Sequence, residues 1–484
     1  MTEADTTGMP LSKPSLGREL RRVGVFVGTG LAVIALAPLV LDTYSVNILV
    51  RSFLYAVAAL TVDLLWGYMG YLTFGQSAFF AIGAYAAGLT FTHLGFSGPL
   101  ALAALGGGLL LAAAVALLVG WLSFARGMSP LYPSVVSLAL PVVVTQVLFS
   151  GGTFTGSSSG LAGFPTFDLS LEAWFFITGG GLILLTAAAW IFTRSDAGLL
   201  LVAIRENEQR CEYLGIDTNK VKIIMLVVTA VIAALAGYGY AAYTDVIAPE
   251  LAGFVFGTEI VIWVALGGRG TLFGPVLGAI LLDFTSAYLS GSLPFVWKLV
   301  IGVAFVGVII LLPKGLIPAF SDLVTWLWRG RSAGEAVVGS APIPGIAVVD
   351  ATRKTAAAAV PALEIVDVAR RYGSLQVLQG ISVTARAGEL LSLVGPNGAG
   401  KTTLMRCISD GTERTHGIVR INGHDIGRRP PNDCVAFGVG RKFQTATVFD
   451  SLTVADCLRI ARSRLEPPSL WRRAETLTLP DSAV

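Results

Sequence analysis

Long apolar runs fill the first two thirds of the chain. Stretches able to cross a hydrocarbon core of roughly 30 Å lie near residues 23–42, 46–67, 75–94, 98–121, 131–150, 172–193 and 222–244. Three tighter runs follow at 252–268, 271–290 and 294–313. They are broken by "GGRG" (267–270) and "SGSLP" (290–294), so 252–268 reads as a partial span. About ten spans put both chain ends on one side of the membrane. Arg126, Arg205, Arg210, Lys220, Lys222, Arg269 and Lys314 then share that side, and the excess of positive charge marks it as the cytoplasm. The opposite loops, "GGTFTGSSSGLAGFPTFDLS" (151–170) and "DVIAPELAG" (245–253), hold no Lys or Arg.

The ends of the apolar region read differently. Residues 1–22 are polar and finish on Arg18, Arg21 and Arg22, as a cytoplasmic N-terminus would. The apolar run behind them is too long for a signal peptide and lacks a small-residue cleavage site, so it reads as a first transmembrane helix within a transmembrane region spanning 23–318. Residues 319–362 read as a linker, with scattered Pro, Gly, Ser and Ala and no sustained period over 331–362. From 363 to 484 the pattern changes to short strand-like runs, "LEIVDVA" (363–369), "LSLVG" (391–395) and "GIVRING" (417–423), with a helix opening at Gly400. This predicts a soluble α/β segment.

Composition agrees with a membrane protein. Hydrophobic residues make up 54% of the 484 and charged residues 13%, against roughly 25% charged in an ordinary soluble domain. A net charge of +3 is too small to point to nucleic acid. The four cysteines (Cys211, Cys407, Cys434, Cys457) form no CxxC pair, and the three histidines are not at metal-ligand spacing. Glycine-rich runs inside the spans, such as "GGGLLLAAAVALLVG" (106–120) and "LGGRGTLFGPVLGAILL" (266–282), read as close helix packing rather than gating. Asp63, Glu259 and Asp283 fall within or near apolar runs. They read equally as parts of a transport path or as helix-end and paired groups.

One motif carries chemistry. Gly395 to Thr402 matches G-x-x-x-x-G-K-T, between the apolar "ELLSLV" (389–394) and the helical "KTTLMRCI" (401–408). Its glycines let backbone N–H groups crowd around phosphate oxygens and a helix N-terminus adds positive potential. Lys401 can reach the terminal phosphates and the Thr402 hydroxyl can hold magnesium. A second polar segment, "AIRENEQRCEYLGIDTNKVKI" (203–223), is the longest charged loop between spans. By composition alone it is a solvated loop.

"VGPNGAGKTTLMRCISD" (394–410), "ARRYGSLQVLQGISVTARAGE" (369–389) and "GVGRKFQTATVFDSLTVADCL" (438–458) resemble the Walker A segment, the strands before it and the Q-loop region of ATP-binding cassette (ABC) transporter ATPases. The resemblance implies ATP held by Tyr372 stacking on adenine, by Gly395, Asn397, Gly398, Gly400, Lys401, Thr402 and Thr403 around the phosphates, and by Gln444, with Mg2+ at Thr402 and Gln444. "DLLWGYMGYLTFGQSAFFAIGAYAAG" (63–88), "TGSSSGLAGFP" (155–165), residues 203–223 and "EIVIWVALGGRGTLFGPVLGA" (259–279) are similar, in the same order, to permeases of branched-chain amino acid and urea ABC importers. That likeness covers roughly 45–318 and implies that 203–223 docks on an ATPase through Arg205, Glu206 and Gly215.

The expected fold is therefore an α-helical polytopic membrane protein of about ten spans followed by a truncated P-loop α/β ABC ATPase domain. The resemblance implies a permease subunit in the bacterial cytoplasmic membrane, among lipid, with both termini cytoplasmic. It further implies a second permease subunit, complete ATPase subunits and an extracytoplasmic solute-binding protein. After Gln444 no LSGGQ-type signature, no apolar strand ending in Asp-Glu and no histidine follows. Phosphoryl transfer needs nucleophile, metal and charge stabilisation held together, so this segment is expected not to hydrolyse ATP alone. Branched-chain amino acids are the expected solutes, with urea or a short amide as the alternative. A membrane-anchored nucleotide-binding regulator, or a truncated fusion product with an idle P-loop, are the readings from other classes.

Overall fold

The structure is a computed structural model that describes residues 16–124, 132–292, 315–329, 360–443, 449–464 and 468–470, with isolated positions between 296 and 312. The chain divides into two compact units. The first holds residues 1–205, 219–324 and 468–484, and the second residues 206–218 and 325–467.

In the first unit the apolar runs form helices α1 (Leu16–Val40), α2 (Thr43–Asp63), α3 (Gln76–Leu94), α4 (Gly98–Phe124), α5 (Tyr132–Ser150) and α6 (Leu171–Thr193). After the polar α7 (Asp196–Tyr213) come α8 (Thr218–Thr244), α9 (Phe254–Gly267) and α10 (Phe273–Ser292). Eight helices among the described residues are long and apolar enough to cross a membrane. The run at 252–268 yields only the 14-residue α9, the partial span its flanking glycines predict. The run at 294–313 lies largely outside the described residues.

Helix α2 is the centre of this unit and packs against α6, α9 and α10. Val50, Phe53 and Val57 share one apolar cluster with Phe175 of α6 and Ile260 and Val264 of α9. Glycine sets the closest approach, at the crossing of α3 and α8. A Cβ added to Gly83 would lie 1.8 Å from the Ala234 carbonyl oxygen, and one added to Gly237 would lie 1.8 Å from that of Phe80. Gly267 of α9 and Gly274 of α10 meet in the same way, whereas Gly106 and Gly107 of α4 have nothing within 4 Å. The packing reading of the glycines therefore describes α3, α8, α9 and α10, and in α4 Gly108 against Ala86 and Gly120 against Ile223, but not Gly106 or Gly107. On the side away from the charged loops, a short antiparallel pair, β1 (Leu161–Ala162) and β2 (Val246–Ile247), joins the two loops that lack Lys and Arg.

The segment 319–362 begins inside a helix, α11 (Leu316–Arg329), and residues 330–359 lie outside the described residues. Beyond it, β3 (Leu363–Tyr372), β4 (Leu375–Ala385), β5 (His416–Ile421) and β6 (His424–Asp425) form one antiparallel sheet in the order β4-β3-β5-β6. Its apolar face carries Ile365, Val368, Leu378 and Val419, covered by Leu404 and Cys407 of α12 (Lys401–Ser409). A last helix, α13 (Val454–Arg462), opens on a capping box between Thr453 and Asp456.

One expected strand is not formed. Residues 389–396 form no strand and join no sheet among the described residues, and Leu390 is 98% and Val394 86% exposed. A continuous apolar strand of this kind belongs inside a sheet covered on both faces, with neighbours on both edges. Among the described residues it joins neither outer strand of the β4-β3-β5-β6 sheet, so its apolar sequence is legible and its pairing is not realised.

Candidate functional site

The phosphate-type loop is built by glycine. Gly398 (φ +88°) and Gly400 (φ +84°) are left-handed, a region other residues enter only at a cost. Gly400 stands at the N-cap of the nine-residue α12, and no side chain caps that end. The first-turn N–H groups of Lys401, Thr402 and Thr403 thus belong to a helix start with no anionic or hydroxyl cap of its own. Lys401 folds back beneath the loop, its Nζ donating to the carbonyls of Gly395 at 2.6 Å and Pro396 at 2.7 Å. Asn397 and Thr402 are exposed and Thr403 is half-buried. A polyanion would fit this arrangement: it would complete the helix start and draw the Lys401 ammonium off the two carbonyls.

Tyr372 ends β3 at the two-residue turn Gly373-Ser374 that leads into β4. The residue is 42% exposed. The Arg370 guanidinium lies over it at 4.3 Å and its hydroxyl donates to Glu413 Oε2 at 3.4 Å. One face is therefore taken, and a base would stack on the other. Gln444 lies outside the described residues.

The charged loop divides at a break in α7. Asn207 departs from helical geometry (φ −155°, ψ 87°) and caps the short helix after it by accepting from the Arg210 N–H at 2.8 Å. That helix stops where the Ile216 N–H donates to the Cys211 carbonyl at 3.1 Å across Gly215 at φ +87°, a Schellman stop. Residues 206–218 form one compact unit with 325–467. Both Ser451 donors, N–H and hydroxyl, go to the Glu206 carboxylate. Arg441 Nη1 donates to the Tyr213 hydroxyl at 2.8 Å and to Ser409 Oγ, the last residue of α12, at 3.2 Å. Phe443 packs edge-on against Tyr213 at 5.3 Å. Burial pushes the Cys211 thiol up to about 12. Nothing in the sequence singles out Tyr213, Ser409 or Arg441.

Gly215 is a position where the geometry can be tested. Alanine there would hold a left-handed conformation and put its Cβ 2.6 Å from Arg464 Cδ. Because that contact is the flexible part of a side chain, the backbone term dominates. Gly215→Ala is expected to cost about 1 kcal/mol. The loss would appear as a lower unfolding midpoint of the purified protein.

Arg205, just before the break, belongs to the first unit and turns to α2 instead. Its Nη1 donates to the Gly67 carbonyl at 2.5 Å, in the π-helical turn Leu64–Tyr68 that ends α2. Beside it the fully buried Asp63 carboxylate accepts from Gly270 N–H at 2.6 Å and Leu272 N–H at 3.1 Å. Asp63 is thus a backbone anchor for the turn between α9 and α10. Asp283 of α10 is paired with Arg51 of α2. Sequence reasoning passed over Arg51, although a lone arginine inside the 46–67 run was signal enough.

Helices of this length and a P-loop of this form define a multi-pass membrane protein carrying a nucleotide-binding segment. Residues 44–311, more than half of the chain, match the family described as "Branched-chain amino acid transport system / permease component", and residues 378–478 match the family described as "ABC transporter". The chain belongs to this permease family, with an ABC-type ATP-binding segment attached. It is similar to the high-affinity branched-chain amino acid transport system permease protein LivM of Salmonella typhimurium (28% identical over 338 residues). LivM of Escherichia coli K12 is 27% identical over the same length, and each alignment covers 63% of this chain and 77% of the relative. Over 104 residues it is 33% identical to the high-affinity branched-chain amino acid transport ATP-binding protein BraF of Pseudomonas aeruginosa, covering 22% of this chain and 41% of that protein. The chain thus spans less than half the length of the ATP-binding relative.

Proposed function

We propose that the chain is the permease subunit of an ATP-driven importer of branched-chain amino acids, with residues 23–318 as the permease and 363–484 as an attached ATP-binding segment. Its place is the bacterial cytoplasmic membrane, with both termini in the cytoplasm. It works with a second permease subunit, complete ABC ATPase subunits and an extracytoplasmic solute-binding protein. The observation that carries the reading is the grouping of 206–218, a loop between membrane helices, with the ATP-binding segment in one compact unit. Glu206, Tyr213 and Gly215 are its contact points, and Arg205 ties the loop back to α2 through Gly67. Such a loop can pass a change in the ATP-binding segment to the membrane helices.

ATP would lie on Gly395, Asn397, Gly398, Gly400, Lys401, Thr402 and Thr403, with Tyr372 against the base and Gln444 and Thr402 toward Mg2+. Binding, not turnover, is the role proposed for this segment. The exposed and unpaired 390–394 run favours that assignment, since it leaves the loop without the sheet that would fix it. Transport energy then comes from the complete ATPase subunits.

The test is uptake of radiolabelled L-leucine into membrane vesicles holding this chain with its partner subunits. ATP-dependent leucine uptake is expected. Lys401→Ala removes a charged hydrogen-bond donor and is expected to weaken nucleotide binding to this chain by about 10- to 100-fold. Uptake should persist. Loss of uptake with nucleotide binding would show that this P-loop itself turns over, and absence of leucine uptake by the unaltered complex would overturn the assignment.

A further inference from the structure

The strongest unexplained charge in the membrane region is Arg51. Helix α10 runs 20 residues from Phe273 to Ser292 and Asp283 falls at its middle, about 15 Å from either end at 1.5 Å per residue. Arg51 meets it there, with Nη2 2.9 Å from Oδ1 and Nε 3.3 Å from Oδ2, and Ser52 Oγ donates to Oδ2 at 2.7 Å. Asp283 is enclosed (9% exposed) while the Arg51 side chain keeps 35% exposure. Its third nitrogen, Nη1, has no hydrogen-bond partner among the described residues. An ionised group inside a membrane span is costly and as a rule faces the bundle interior or a water-filled cavity, which is the reading a half-open guanidinium at this depth supports.

What surrounds the pair is organised. Asn47, Arg51 and Tyr55 are four residues apart and so lie on one face of α2. At the outer end of that face is a pocket of about 500 Å³ bordered by Asn47, Thr166, Trp174, Tyr243 and Asp245. One turn further in is Arg51. A turn beyond it, Tyr55 stacks on Tyr240 at 5.5 Å and on Trp263 at 5.3 Å. Reading inward, the face offers a polar mouth, a carboxylate–guanidinium pair and an aromatic wall.

We propose that Arg51 and Asp283 form a recognition point for the zwitterionic head of an α-amino acid crossing the membrane, with the half-buried Tyr55 and Tyr240 beside them for its apolar side chain. The proposal rests on the amino-acid import reading above and names the place within the permease where that solute is sensed. A guanidinium takes a carboxylate as a two-pronged fork, and a carboxylate takes an ammonium. An incoming zwitterion can therefore insert between the partners and give each a new opposite charge, so no ion is left unpaired at mid-depth. Solutes bearing only one of the two charges would strand the other partner.

The experiment measures L-leucine uptake and subunit co-purification for the complete complex, unaltered and with Arg51→Met plus Asp283→Leu. This replacement swaps the pair for apolar groups of similar reach, which preserves a contact that serves only to clamp α2 to α10. Assembly and ATP hydrolysis stimulated by the binding protein are expected to survive, while leucine uptake falls about 100-fold or more, as expected of a site built for specific polar groups. Equal uptake by an assembled double variant would overturn the proposal. If the double variant does not assemble, Arg51→Lys keeps the charge but not the fork. It is expected to assemble and to lose about tenfold in uptake, and unchanged uptake there would equally overturn the proposal. If the unaltered complex carries no leucine, the import reading fails first and this one with it, whereas uptake by the unaltered complex alongside full uptake by the variants sinks only the site.

Discussion

Gly237→Leu is expected to prevent this protein from accumulating as a folded species in the membrane. A Cβ at that position would lie 1.8 Å from the Phe80 carbonyl oxygen, and Gly83 faces Ala234 with the same clearance. The clashing atom is backbone on both sides, so rotamer changes give no relief and α3 and α8 must separate. Forcing atoms into a packed core costs about 1–3 kcal/mol in ordinary cases, and this contact is tighter than those. With total stabilities of about 5–15 kcal/mol, a loss at or above the upper end removes much of the margin. Gly107→Leu is the control, because nothing lies within 4 Å of a Cβ there. Fluorescence-detected size exclusion of the two variants should show a normal peak for Gly107→Leu and a lost or aggregated one for Gly237→Leu. Two normal peaks would mean that α3 and α8 do not cross at these glycines.

The contrast between those glycines shows what could be read from the chain. Apolar length announces a span, and breaks such as "GGRG" announce where spans shorten, because both depend only on local sequence. The run 254–267 was legible for that reason. Which glycine meets a neighbouring backbone depends on the crossing point of two helices distant in sequence, and Gly107 and Gly237 look alike until that crossing is known. The same limit applies to "ELLSLV", whose composition is that of a buried strand although it is paired with no strand among the described residues.

The site was legible in proportion to its locality. The phosphate loop is contained in eight consecutive residues, and two of its three glycines, Gly398 and Gly400, take left-handed conformations. Gly215 likewise has a local reason, the Schellman stop. Arg205 and Glu206 are neighbours in sequence with different partners, Gly67 and Ser451, because the helix breaks at Asn207. No periodicity reveals such a break. Asp63 and Asp283 were visible as acids among apolar residues, but their partners are respectively two backbone N–H groups and Arg51, each more than 200 residues away.

Asp63 carries the second large effect, and here the two readings of an intramembrane acid separate. Asp63→Leu leaves the Gly270 and Leu272 N–H groups buried without an acceptor, at about 1–3 kcal/mol each. It also frees a turn that needs holding, since Leu272 is 3% exposed and sits at φ +60°. A leucine enters that region only at a cost of about 1–2 kcal/mol, and the carboxylate is what fixes its N–H. Asp63→Asn keeps one acceptor oxygen and turns an amide toward the other donor, so its cost should fall between wild type and Asp63→Leu. The unfolding midpoint should therefore fall in the order Asp, Asn, Leu, with leucine uptake tracking the amount of assembled protein. An Asn variant that assembles as well as wild type yet transports nothing would instead make Asp63 a group acting on the solute or a coupled ion. The backbone bonds at 2.6 and 3.1 Å favour the first result, since an acid committed to anchoring a turn has both oxygens engaged and none turned toward a passing solute.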